Sequence, residues 1–120
     1  MGYLGAYALP VVSGQEDRVR NFDKELRDNG LVEAFEELNR NATVSRYATF
    51  LQEDPTGGPA LAITTLEVDD PTRLQRQFGD TAYDRWWTAY LSEVHGLPDL
   101  TGVPVDQMPS PPPLVYSWDG

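Results

Sequence analysis

The run Asp54-Pro55-Thr56-Gly57-Gly58-Pro59 constrains this chain more than any other stretch. Two prolines fix φ and two glycines admit left-handed backbone, so neither a helix nor a strand survives across it. On either side the sequence is β-like. Before the run, Tyr47, Thr49 and Leu51 oppose Ala48 and Phe50, within a segment from Thr43 to Glu53; after it, Ala60 to Val68 is apolar and β-rich. Two such runs joined by strong turn chemistry predict a hairpin, and the rest of the chain must be built around that antiparallel pair.

The flanks supply the remaining elements. Tyr3 to Val12 reads as a strand, with Tyr3, Gly5, Tyr7 and Leu9 on one face, Leu4, Ala6 and Ala8 on the other, and Pro10 helping to end it. Ser13, with Glu16 three residues on, predicts a capping box, and Val19, Phe22 and Leu26 mark one face of the helix that follows. Asn29-Gly30 interrupts it, and Leu31, Phe35 and Leu38 predict a second helical piece ending near Arg40. Beyond the hairpin, Asp70-Pro71 opens a helical turn through Leu74, and Gly79-Asp80 breaks it. Thr81 or Asp80 then caps a helix that reaches about His95 before Gly96 and Pro98 stop it. Residues 97–113 hold six of the ten prolines and read as an extended arm. Leu114, Tyr116 and Trp118, alternating with Val115 and Ser117, predict a final strand at 114–118.

The order β-α-β-β-α-β defines a single α+β domain over residues 1–120, of the ferredoxin-like or split βαβ kind. In that layout the first and third strands lie mid-sheet, and here they are the most uniformly apolar segments. Helices on one face leave the other face bare. A second copy of the chain is the simplest cover, so a homodimer is expected.

Composition excludes several function classes. The chain has no cysteine, which removes disulfides, thiolate chemistry and zinc–thiolate sites, and its single histidine makes a transition-metal site a poor fit. A formal charge of −10 repels phosphate backbones and anionic lipid, so neither nucleic acid nor membrane is an expected partner. No apolar run is long enough to span a bilayer, and Met1–Val12 lacks the basic flank of a secretory signal, so a cytoplasmic location is expected.

Candidate functional residues concentrate in "DRWWTAYLSEVHG", residues 84–96. On a helical projection Tyr83, Trp86, Trp87, Tyr90, Leu91 and Val94 fall within an arc of about 140°. One reading is a helix face packed on the sheet; the other is an aromatic wall for a flat ligand. His95, in the last turn, either bonds a free terminal carbonyl or serves as a general base held by a partner from another element. Tyr3, Tyr7, Tyr47, Thr49 and Thr64 are placed to bring polar tips into a pocket, while Arg46 reads as half of a surface ion pair. Glu53, Asp54, Glu67, Asp69 and Asp70 read as solvated strand ends.

The segments "YALPVVSGQEDRVRNF", "SRYATFLQED", "PALAITTLEVDDP" and "YDRWWTAYLSEVHG" resemble the dimeric α+β barrel superfamily, which includes antibiotic-biosynthesis-monooxygenase-like proteins. The likeness is strongest to its small bacterial members of unassigned activity. It runs through residue 96 and is one of pattern and layout, without a catalytic signature. It implies two sheets packed face to face across a dimer and a pocket between each sheet and its helices. Relatives include cofactor-independent oxygenases, haem-degrading enzymes, lactone isomerases, polyketide cyclases and ligand-binding regulatory domains, so the fold leaves function open. The catalytic version implied needs no cofactor. His95 or a pocket tyrosine removes a proton while Trp86, Trp87 and Tyr90, with Tyr83, Tyr47 and Tyr7, hold a planar apolar or aromatic metabolite. The alternative is a non-catalytic dimer that binds a metabolite or scaffolds a partner.

Overall fold

The structure, a computed structural model, describes residues 3–74, 79–104, 107, 112–118 and 120. It is an α+β fold with strand β1 (Tyr3–Pro10), helices α1 (Glu16–Arg20), α2 (Phe22–Asp28) and α3 (Val32–Asn41), and strands β2 (Val44–Gln52) and β3 (Leu61–Val68). A 3-10 turn over Pro71–Leu74 and helix α4 (Ala82–His95) follow. The sheet order is β1-β3-β2 with both pairings antiparallel, so β1 and β2 run parallel with β3 between them.

The hairpin forms where the turn chemistry places it. Asp54 Oδ1 accepts from the Thr56 amide at 2.8 Å and from its hydroxyl at 2.6 Å, and Gly57 takes a φ of 87° that a side chain would resist. Gly5 is needed for a different reason. A Cβ there would stand 2.9 Å from Leu66 Cδ1, its cross-strand neighbour, so the missing side chain makes room for the leucine.

The expected capping box at Ser13 does not form. The Gln15 amide bonds the Val12 carbonyl at 2.9 Å, closing a turn through Gly14, so the helix starts two residues later with Gln15 at its N-cap and no side-chain cap. The first helix also breaks at Asn21, separating α1 from α2, while Gly30 at φ 66° ends the second piece as its sequence implies. Helix α4 matches its signals at both ends. Thr81 Oγ1 accepts from the Asp84 amide at 3.0 Å, and Gly96 adopts the left-handed conformation with φ 69°.

Helices α1, α2, α3 and α4 lie on one side of the sheet. Val11, Val19, Ala60, Ala62, Tyr90 and Val94 form one buried cluster, and Leu26, Leu31 and Tyr83 form a second; Phe22, Trp86 and Trp87 pack against both. The opposite face carries Leu4, Ala6, Ala8, Ala48, Phe50, Leu61, Ile63 and Thr65, with Arg46 and Glu67 as its charged residues. Among the described residues no helix covers it, and Phe50 is 59% exposed. The final strand expected at 114–118 is not formed within the single chain. Residues 112–118 carry no ladder, and Pro112 to Val115 instead line a groove of about 540 Å³ across the uncovered face. Among the described residues no helix is long and apolar enough to cross a membrane.

Candidate functional site: an aromatic cluster over a row of hydroxyls

Helix α4 places its aromatic stripe against the sheet, and α2 and α3 close over it with Phe22 and Phe35. Phe22 is the hub. Its ring meets Phe35, Trp86, Trp87 and Tyr90 edge-on at centroid distances of 5.6–5.9 Å. Trp87 stacks on Tyr90 at 5.5 Å and on Tyr83 at 6.5 Å, and Phe35 meets Tyr47 edge-on at 5.3 Å. Offset and edge-on contacts of this kind add about 0.5–1.5 kcal/mol per pair beyond burial. The structure therefore brings Tyr83, Trp86, Trp87, Tyr90 and Tyr47 into one cluster. Neither indole N–H bonds a described residue, and among the described residues no buried side-chain polar atom lacks a partner, so both N–H edges reach the surface.

Beneath the rings, sheet register builds a polar row. Tyr7 stands opposite Thr64, and Thr64 opposite Thr49, so the three cross all strands on the helix side. The Thr49 and Thr64 hydroxyls are 2.9 Å apart. The Tyr7 hydroxyl is held beside those of Thr64 and Tyr47. Burial, then the neighbouring Tyr47, pushes the Tyr7 phenol far above its usual range; Tyr90 moves the same way, by burial and then the charge of Glu25. Both phenols thus stay protonated at neutral pH. They can donate a hydrogen bond but cannot act as a resting base, which narrows the catalytic reading drawn from the sequence. Thr49 faces the helices by register yet remains exposed, so the helix layer stops short of β2 there and the row opens to solvent.

His95 lies at the far end of α4, 7% exposed, with its ring edge-on to Tyr90 at 5.8 Å. Its Nδ1 is 2.8 Å from the Pro10 carbonyl. A carbonyl only accepts, so Nδ1 carries the proton and Nε2 keeps its lone pair. Burial lowers the pKa, against a smaller opposing effect of the Pro10 bond, and the ring is neutral at pH 7. The orienting partner that α4 itself could not supply comes from the end of β1. Nearby, the Val12 amide bonds the Val94 carbonyl at 2.7 Å and the Val11 amide bonds the Ala60 carbonyl at 2.9 Å. The ends of β1 and α4 and the start of β3 thus meet in one knot.

Sequence reasoning missed Arg18. It makes two bonds to Glu25 at 2.9 and 3.1 Å and one to Glu93 at 2.7 Å, and it lies 5.2 Å over the Tyr90 ring. Those contacts tie α1, α2 and α4 together and raise the guanidinium pKa, with the Glu25 bonds first. Arg18 and Glu25 lie on the separate helices α1 and α2, so no single-helix spacing signals the pair. Glu53 pairs with Arg20, and Asp70 holds the Thr72 amide and hydroxyl at 3.1 and 2.6 Å, local roles that suit strand ends. Among the described residues no group of three or more His, Asp or Glu is placed to hold a metal ion.

The chain was compared with protein-family models and with curated proteins, and nothing matches in either comparison.

Proposed function

We propose that the chain is one subunit of a ferredoxin-like dimeric α+β barrel that binds a small, planar, mostly apolar molecule. The binding reading rests on one observation, the hydroxyl row from Tyr7 to Thr49 that runs beneath a cluster of aromatic rings and opens to solvent at its Thr49 end. Flat apolar ligands are held by ring faces and oriented by a few fixed polar groups, and this site offers both. The ligand class is an aromatic or quinone-like molecule with a hydroxyl or carbonyl at one edge to meet the row. The dimer accounts for the uncovered sheet face. That face is apolar, and its Arg46 and Glu67 cancel in a chain of net charge −10, so two copies meet there without the repulsion felt elsewhere.

A second reading, catalysis without a cofactor, is favoured by the tautomer of His95. The free lone pair on Nε2 suits a base that removes a proton from a bound phenol.

Native mass spectrometry on gently purified protein tests the binding reading, together with fluorescence titration of naphthols and naphthoquinones. A Trp118→Phe background leaves Trp86 and Trp87 as the reporters. A dimer mass carrying a bound small molecule is expected, with saturable quenching that Thr49→Val and Tyr7→Phe weaken several-fold. Saturable quenching that neither substitution alters would remove the hydroxyl row from the site.

A further inference from the structure

The sheet face that the helices leave bare is partly occupied by the chain itself. Pro112, Pro113, Leu114 and Val115 line the same groove as Ala6, Ala8, Phe50 and Ile63, the residues that the dimer reading gives to a partner's sheet. One side chain cannot pack against both at once. The hold is also slight. Residues 112–118 join no ladder, Leu114 remains 53% and Val115 93% exposed, and Phe50 on the sheet side remains 59% exposed.

We infer that residues 112–115 are a loose cover for this face that must leave before a second subunit docks, so the chain itself sets how strongly it pairs. The inference rests on the dimer reading above. Three observations carry it. First, the cover and the partner's sheet need the same side chains, so the two contacts exclude each other. Second, residues 112–115 carry no charge and the face is neutral overall, so the acidic charge of the chain does not push the cover off. Third, the cover is held without backbone bonds and leaves much apolar surface in water, whereas a second sheet would bury more of it. Apolar stabilisation scales with the area removed from water, so the partner displaces the cover once it is concentrated enough. Both subunits must be cleared. The apparent dimer dissociation constant is therefore the intrinsic one divided by the square of the bare fraction, and a cover in place about three-quarters of the time weakens pairing about sixteenfold.

Two measurements on the full chain test the cover. Sedimentation equilibrium gives the dimer dissociation constant of the unaltered chain and of Leu114→Asp, which sets a charge against the apolar face and leaves the sheet residues untouched. Tighter pairing in Leu114→Asp, by threefold or more, is expected. An unchanged or weaker constant overturns the cover while the dimer reading stands; two chains that stay monomeric at every concentration overturn both. The second measurement holds the cover shut. The chain has no cysteine, so thiols introduced as Ala6→Cys/Val115→Cys, both on the groove, react without background. A short bismaleimide, added at a dilution where the chain is monomeric, is expected to link positions 6 and 115 within one chain, and the linked chain is expected to remain monomeric when concentrated. A linked chain that still dimerises, or no link within one chain, overturns the cover.

Discussion

His95 shows how one side chain can be fully occupied by structure and still carry a useful lone pair. Its Nδ1–H satisfies the Pro10 carbonyl, and its ring is buried against Tyr90. Removing it strands a buried carbonyl and leaves a void, so His95→Ala should cost about 2 kcal/mol, read as a lower urea midpoint at unchanged slope. Burial of the ring also sets a pH dependence, which the Pro10 bond opposes in part. The folded ring binds a proton more weakly than the unfolded one, whose pKa is 6.5, so acidification favours unfolding. The His95 contribution is complete above that value and is lost as pH falls through the lowered folded pKa. Asp54, Asp70 and Asp99 have lowered pKa values too, but from 3.8, so they act further into acid. Between about pH 6.5 and 4.5 the stability slope should therefore flatten in His95→Gln. A slope unchanged by that substitution would show that another group carries it.

At the level of elements, legibility followed how local each cause is. The ends of α4 were readable because Thr81 and Gly96 act within a turn of themselves. Thr81→Ala and Gly96→Ala should each lower stability by about 1 kcal/mol, the first by freeing the Asp84 amide and the second by forcing a Cβ into left-handed backbone. A Cβ at Gly96 would meet Val12 Cγ2 at an ordinary 3.6 Å, so the cost there is backbone strain rather than crowding; thermal melts of the two variants check both values. The hairpin was legible for the same local reason. Ser13 misled because a capping signature competes with a turn, and Gly14 with the Val12–Gln15 bond favours the turn. The partner of His95 lies 85 residues away, which no window along the chain can reveal. Nor does spacing tell that Thr49 is left exposed where the helix layer ends, since that depends on how far α1 and α3 extend over β2. The alternation at 114–118 was visible, but a ladder needs a neighbouring strand, and alternation does not supply one.

For the whole molecule the informative feature is its one-sidedness: a packed aromatic layer on one side of a sheet and bare apolar residues on the other. Phe50 sits on the bare side, so Phe50→Asp should leave the monomer folded, with its far-ultraviolet circular dichroism unchanged. The two acidic side chains it brings together in a dimer should shift the light-scattering mass from dimer to monomer at micromolar concentration. A variant that stays dimeric would place the subunit contact elsewhere. The knot at Pro10–Val12 bears on time as well as on shape. It joins two segments 85 residues apart in sequence, and closing so long a loop yields nothing until the intervening elements are in place. The hairpin and α4 can gather early from short-range signals, whereas the latch that holds β1 against the end of α4 fastens late. The stability it lends is then felt mostly as slower opening of the finished molecule and little as faster assembly.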